Sequence, residues 1–365
     1  MKERILKMMD VEPRESGPVF LLLTISFLMG MFLATVTVAS QTLFLNLFDE
    51  LEDLPRAFFL SGVFGLVATA IYNFLQGRIP FPALAIGSLF IVVVLTAGIE
   101  FGAPFFTNVD DLYYYGFTLI LPFTFLCVLV FWGAFNRMFN LKQSKRIIGS
   151  VDVGTMIAQI LAFFTIPILL NFGVDIEALY TIALFSIIGF LLLFIVLSGK
   201  YLRGEQITIS EKEHKKITVL SFIRNKYILM MSLFIVLSMI ALRFIEFSFF
   251  NVTTIRFNET DLPYFLSLFE AIIVIFSFLF STFGADYILT NYGLRVSLLL
   301  NPLIVILFTV AAVATGTFFG FDAASGEAII FFFITVSMSK LFINSFKEAL
   351  DEPGFKFYYV PMTGQ

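Results

Sequence analysis

Long apolar segments alternate with short polar connections along almost the whole chain. A helix that crosses a bilayer needs about 20 predominantly apolar residues. Ten segments reach that length, at approximately residues 18–47, 55–76, 81–103, 112–136, 147–171, 175–199, 227–250, 262–285, 292–318 and 326–346. The pattern therefore predicts an all-α polytopic membrane protein with about ten transmembrane helices, which we number as spans 1 to 10.

The connections divide these spans into two groups. Residues 200–226 form the longest connection, a basic linker that we expect to be cytoplasmic. We therefore predict a six-helix amino-terminal bundle over 16–199 and a partial carboxy-terminal bundle, four helices plus a tail, over 227–365. Residues 1–15 mix charges with apolar side chains, which is typical of a short helix lying in the membrane interface.

Composition agrees with the membrane assignment and narrows the chemistry. The chain has 365 residues, of which 59% are hydrophobic and 14% charged, whereas soluble domains are about 25% charged. The single cysteine, Cys127, lies within span 4, and the single histidine, His214, lies in the charged linker. An intrachain disulfide is therefore impossible, and we expect no metal, no cofactor and no enzymatic activity, since no catalytic fingerprint is present.

The charges are distributed unequally between the two sides of the membrane. With the amino terminus inside, the inner connections hold nearly all lysines and arginines, and the outer ones hold only Arg56 and Arg256. Basic residues favour the cytoplasmic side. The acidic residues show the opposite bias, with thirteen in the outer connections, for example Asp49, Glu100 and Asp110. We therefore predict a cytoplasmic amino terminus.

The order of the spans indicates a known architecture. Six helices, a central cytoplasmic loop and a second group of helices is the plan of the major facilitator transporters. Spans 2 and 8 end in comparable turns, YNFLQGRIPFPAL and GADYILTNYGLRVSLL, each with a glycine and one arginine. Two helices of that plan are missing after span 10, so we expect the chain to be truncated there.

The connection between spans 4 and 5 carries a family resemblance. Its sequence, FWGAFNRMFNLKQSKR, resembles the FWGxxN and AKR pattern of the nucleotide transporter family, the ATP/ADP translocases of intracellular bacteria and plastids. The matching residues are Phe131, Trp132, Gly133, Asn136, Ser144, Lys145 and Arg146. In the tail, Lys356, Tyr359 and Pro361 are placed similarly to a family run that follows span 10.

This resemblance implies a major facilitator fold, transport related to ATP:ADP antiport, and a place in a bacterial inner membrane. YGLRVSLLLNP, between spans 8 and 9, is also similar to nucleotide-transporter-like proteins of free-living bacteria, some of which are fused to soluble domains. A fused or associated soluble domain is therefore an expected partner besides the lipid bilayer. The basic residues of the linker would face anionic lipid, and we expect no nucleic-acid partner.

Span 1 departs from the family pattern. Translocases of the family carry a charged R-D-x-x-K-D-like run there, whereas this chain has no charge from Gly17 to Phe48. An unpaired charge in a low-dielectric cavity is costly, so a carrier of ATP or ADP should provide several cations. Two lie at membrane depth in the second half, Arg243 and Lys340. The family resemblance therefore indicates the transporter fold more strongly than it indicates ATP/ADP exchange.

Ionisable residues inside spans are candidates for function. Lys340 shares a helical face with Ser337 and Asn344, and this stripe is either a binding site for an anionic substrate or the stem of a lysine that reaches the inner interface. Arg243 and Glu246, with Glu270 on the next span, form either an outer gate or proton-coupling cluster, or a structural ion-pair group.

The roles of five further residues remain open. Four of them lie near the inner ends of spans 2 and 4, and one lies on span 5. Asn136 and Arg137 are candidate substrate ligands, with a cytoplasmic anchor as the alternative. Tyr72 and Asn73 are candidates for the cavity, with interfacial anchoring as the alternative. Asp152 is a candidate for coupling, although pairing with Lys145 or Arg146 or with the helix amino terminus would also explain it.

Together these observations predict a secondary-active transporter that works by alternating access. The expected substrate is a nucleotide-like solute or another small organic anion. The alternative is a transporter-derived membrane module that anchors or senses together with a soluble domain and no longer transports. The uncharged span 1 favours that alternative.

Overall fold

A computed structural model describes residues 11–12, 15–49, 51–202, 226–319 and 329–351. Several sequence predictions fall outside these residues: most of the interfacial helix over 1–15, most of the 200–226 linker, the start of span 10 at 326–328, His214, and the tail motif at Lys356, Tyr359 and Pro361.

In the part of the chain that the structure describes, seven α-helices precede the linker. They are α1 (Ser16–Leu47), α2 (Asp53–Gln76), α3 (Phe81–Phe101), α4 (Val109–Thr118), α5 (Ile120–Met138), α6 (Leu141–Asn171) and α7 (Ala178–Tyr201). Among the described residues after the linker there are four α-helices: α8 (Lys226–Arg256), α9 (Leu262–Phe280), α10 (Asp286–Phe319) and α11 (Ile329–Phe346). Short π-helical segments, Ser281–Ala285 and Lys347–Asp351, extend α9 and α11.

All of these helices except α4 contain a segment long and apolar enough to cross a membrane. The described residues thus contain ten candidate spans and no strand. The predicted all-α class and the predicted number of spans are confirmed.

Span 4 was wrongly predicted as one continuous helix over 112–136. The structure has two helices, α4 and α5, which meet at Leu119. Pro122 explains the break, because proline has no N–H to donate to the carbonyl four residues earlier, here that of Thr118. At its other end α4 is capped by Asn108, whose Oδ1 accepts from the Asp110 backbone N–H at 3.3 Å.

The basic connection after span 4 is much shorter than the sequence analysis predicted. It comprises Phe139 and Asn140, and α6 begins at Leu141, six residues before the predicted start of span 5. Asn140 Oδ1 accepts from the Gln143 N–H, and Gln143 Oε1 accepts from the Asn140 N–H, both at 3.0 Å. This reciprocal capping box starts the helix within the basic segment.

The described helices group into two compact units. The first contains α1 to α7 together with residues 263–271, and the second contains 226–262 and 272–351. Within the first unit, α1 packs against α4, α5, α6 and α7, with its longest contacts along α6 and α7. The α1 helix, which has no charged residue, is therefore the central helix of its unit.

Small residues allow α1 and α6 to approach closely. Gly30 on α1 faces Thr155 and Ala158, and Gly154 on α6 faces Ser26. Small residues spaced by four let transmembrane helices bring their backbones together. Ser26 with Gly30, and Gly154 with Ala158, have this spacing.

In the second unit, α11 packs against α8 and α10. The α10 helix is kinked at Gly293, which has φ 76° and ψ 171°. Glycine adopts a positive φ without the steric cost that a side chain would impose. Gly293, which belongs to the predicted inner turn between spans 8 and 9, therefore permits the kink.

Candidate functional site

Lys340 is buried in the second unit. Its side chain is 3% exposed, and Nζ lies 4.1 Å from the centroid of the Phe249 ring and 5.2 Å from that of Phe250. Both phenyl rings belong to α8 and have no exposed area. The ammonium therefore lies against the faces of two aromatic rings.

This contact offsets part of the cost of burying the charge. A cation over an aromatic face gains about 2 kcal/mol when the pair is desolvated. The desolvation of an ammonium costs several kcal/mol, even after the protein relaxes around it. The contact with Phe249 and Phe250 therefore stabilises the buried ammonium by part of what its desolvation costs.

Ser337 and Asn344 lie on the same face of α11 as Lys340. Ser337 is 6% exposed, and its Oγ has no hydrogen-bond partner among the described residues. Asn344 is half-buried. The Ser337 hydroxyl, about one helical turn from Lys340, can donate one hydrogen bond. The sequence-predicted stripe on span 10 is thus largely buried in the structure.

The Arg243 and Glu246 side chains of α8 form an ion pair across one helical turn, through Nη1 and Oε2. They are 45% and 25% exposed. Glu270 is half-buried on α9, in the segment that groups with the first unit. The structure therefore pairs Arg243 with Glu246, and the arginine is the more exposed of the two side chains.

The candidates near the ends of spans 2 and 4 lie in different environments. Arg137 is exposed, with its guanidinium carbon 3.9 Å from the centroid of the Phe81 ring, and Nη1 donates to the Gly133 carbonyl at 3.1 Å. Asn136 and Asn73 are also exposed, whereas Tyr72 is 5% exposed. Arg137 has the contacts expected of a residue that fixes the end of its helix.

Asp152 is half-buried on α6, three turns into the helix rather than at its start. The earlier start of α6 explains this difference. The helix amino terminus lies about 16 Å away, at 1.5 Å per residue. Stabilisation of that terminus by Asp152, one of the interpretations above, is therefore wrong, because the effect falls off within the first turn.

Sequence reasoning missed a polar cluster that joins the residues before α1 to α6. The Arg146 guanidinium binds Glu12, with Nη1 and Oε1 3.0 Å apart, and Glu15, through Nη2 and Oε2. Gln143 Nε2 donates to Glu15 Oε1 at 2.8 Å. The Glu15 side chain is 8% exposed. Within this family-like segment, Arg146 and Gln143 thus have a structural role.

A second missed contact lies in the second unit. Ser277, a fully buried residue of α9, donates to Glu348 Oε2 at 2.7 Å. Ser345 Oγ donates to the Ile273 carbonyl at 3.3 Å. The π-helical segments that follow α9 and α11 also pack together. Because π-helical turns are frequent at functional sites, this end of the unit is a further candidate region.

Comparison with known proteins identifies the class to which the fold belongs. The chain has a major-facilitator-like fold, of the kind used by membrane transporters. It is similar to the crystal structure of a mutant of the nucleoside transporter NupG, with a TM-score of 0.53 and 14% identity over 93% of this chain and 82% of that one. No protein-family model and no curated protein matches the chain. At this identity the likeness shows the fold, without distinguishing the ATP/ADP translocase branch.

Proposed function

We propose that the chain is a secondary-active membrane transporter that moves a small organic anion by alternating access. The observation that carries the proposal is Lys340, a cation with 3% exposure on a candidate span. Ionisable residues at membrane depth commonly mark substrate or ion pathways. The major-facilitator-like fold supplies the architecture in which two bundles move around a central site.

The substrate is nucleotide-like or another small organic anion. Two independent observations support the nucleotide-like choice. The FWGAFN segment resembles the nucleotide transporter family, and NupG, a protein of similar fold, is a nucleoside transporter. Within the binding stripe, Lys340 meets the anionic group and Ser337 and Asn344 donate hydrogen bonds to it. Arg243, Glu246 and Glu270 are the candidates for gating or coupling.

The first test is thermal stabilisation of the purified full-length protein in detergent. Nucleotides, phosphorylated metabolites and organic anions are screened one at a time, and stabilising compounds are then tested for uptake into proteoliposomes. A ligand at about 100 times its dissociation constant stabilises the protein by about 2.7 kcal/mol. We expect at least one anion to stabilise the wild type and to lose its effect in Lys340→Ala.

Lys200→Ala is the matched control, because Lys200 is an exposed lysine at the end of a candidate span. It should respond to the same anion as the wild type does. A wild type that no anion stabilises, and that shows no uptake, would contradict transport. That result would favour the membrane module that anchors or senses with a soluble domain, for which the uncharged α1 is the specific evidence.

A further inference from the structure

The α6 helix has an apolar face suited to lipid and polar residues on the opposite face. The apolar face is a row of side chains that are 45–53% exposed: Ile157, Leu161, Phe164 and Ile168. Successive residues of an α-helix are about 100° apart. Thr155 and Gln159, each two positions from Ile157, therefore point almost directly away from that row. Both are half-buried, so part of their surface is accessible on the protein side of α6.

Gln159 lies close to the middle of its candidate membrane span. The span within α6 is Val151–Asn171, so Gln159 is about 3 Å and Thr155 about 9 Å from its middle, at 1.5 Å per residue. Polar groups at this depth are costly against lipid, and they almost always face the interior of a bundle or a water-filled cavity. The accessible part of Gln159 is therefore suited to contact water or a polar ligand.

The Thr155 hydroxyl differs from those of other threonines in the helices of the first unit. Thr96 and Thr165 each donate to the carbonyl four residues earlier, at 2.8 and 2.7 Å. Thr155 Oγ1 is buried and has no hydrogen-bond partner in the part of the chain that the structure describes. An unpaired buried hydroxyl costs free energy, which a hydrogen bond to a ligand recovers. Because Thr155 as a whole is only half-buried, a change of rotamer can bring its hydroxyl to the accessible side.

We propose that Thr155 and Gln159 form a second part of the substrate site, which binds an uncharged edge of the substrate where a hydrogen-bond donor lies beside an acceptor. This inference rests on the transport function proposed above and adds the residues that bind the uncharged part of the substrate. A glutamine amide presents a donor and an acceptor side by side, and it pairs in this way with the edge of adenine. The third polar residue of this face, Asp152, is acidic, so the face supplies hydrogen bonds without a cation. The base of a nucleotide-like substrate is the group that fits.

The experiment measures binding to the full-length protein in lipid nanodiscs by calorimetry. Three probes share the ribose phosphate and differ in the base. They are AMP, purine riboside 5′-monophosphate, which lacks the 6-amino group, and ribose 5-phosphate, which has no base. We expect AMP to bind about 10-fold more tightly than purine riboside 5′-monophosphate or better, because only AMP offers the donor beside the acceptor. Ribose 5-phosphate should bind most weakly.

Substitutions on α6 test the assignment to these residues. Gln159→Leu removes the amide at similar size and should weaken the binding of AMP by about 10-fold or more, while leaving that of ribose 5-phosphate unchanged. Thr155→Val should weaken the binding of AMP by about 5-fold, and Thr155→Ser, which keeps the hydroxyl, should restore it. Thr165→Val is the matched control, because Thr165 is an exposed threonine of the same helix that donates to its own Leu161 carbonyl. It should bind all three probes as the wild type does.

The outcomes separate this inference from the transport proposal. If Gln159→Leu leaves the binding of AMP unchanged, or weakens AMP and ribose 5-phosphate equally, the assignment to α6 is overturned and anion transport stands. The same holds if the wild type binds none of the three probes but is stabilised by another anion of the wider screen. A wild type that binds no probe and that no anion stabilises would overturn both proposals.

Discussion

The close approach of α1 and α6 leads to a prediction about single methyl groups. A Cβ atom added at Gly30 would overlap the Thr155 backbone carbonyl and lie 2.8 Å from the Ala158 Cβ. Ordinary contacts between such atoms are about 3.5–4.0 Å. Because a backbone carbonyl cannot rotate away, Gly30→Ala must push the two helices apart.

The expected loss can be given a magnitude. Inserting a methyl group into a well-packed core costs about 1–3 kcal/mol, while alanine gains up to about 1 kcal/mol over glycine in helix propensity. Gly30→Ala should therefore reduce the free energy of unfolding by roughly 1–2 kcal/mol. Gly154→Ala should cost less, because its Cβ would first meet the Ser26 hydroxyl, which can change rotamer.

The assay is unfolding in increasing SDS, followed by the fluorescence of Trp132, which contacts Phe131 and Phe135 on α5. Gly62→Ala and Gly87→Ala are matched controls, since a Cβ at either position would meet no atom within 4 Å. Ser26→Ala should recover part of the loss caused by Gly154→Ala and none of the loss caused by Gly30→Ala. A Gly30→Ala protein as stable as Gly87→Ala would refute the close crossing.

Two further substitutions test other polar contacts of the first unit. Arg146→Ala should reduce the free energy of unfolding by about 1–3 kcal/mol in the same assay, because it leaves the nearly buried Glu15 carboxylate without the Arg146 guanidinium. Arg78→Ala, at an exposed arginine that lies over the Phe74 ring, is the control and should cost less. Equal losses in the two variants would contradict the structural role of Arg146. Tyr180→Phe removes the buried hydrogen bond to Ser40, 2.8 Å long, and should cost about 1 kcal/mol, whereas Tyr115→Phe, at a tyrosine 45% exposed, should have no measurable effect.

The number of spans could be predicted because it depends on the length of each apolar run, which is a local property. The break at Leu119 was missed because Pro122 lies inside an otherwise continuous apolar segment, and a proline near the start of a helix is also well tolerated. The early start of α6 was missed because the basic residues after Asn140 indicated a loop. The Asn140 and Gln143 pair, three residues apart, was a readable signal for a helix start.

The candidate site could be predicted only in part. Lys340 was recognisable because charged residues are rare inside spans, and its helical spacing identified Ser337 and Asn344. Its aromatic partners were not recognisable, since Phe249 and Phe250 are two of 50 phenylalanines and lie about 90 residues away in sequence. The pairing of Arg146 with Glu12 and Glu15 joins residues more than 130 positions apart, and no local pattern specifies such a contact.

The most direct test of the transport account is counterflow in proteoliposomes. Vesicles are loaded with the anion that gives the largest thermal stabilisation, and entry of the labelled anion is followed for the wild type, Lys340→Ala and Lys200→Ala. The account predicts flux through the wild type and Lys200→Ala, and flux at the level of protein-free vesicles for Lys340→Ala with normal folding and insertion. Unchanged flux in Lys340→Ala would remove this lysine from the site, and absence of flux in the wild type would contradict transport itself.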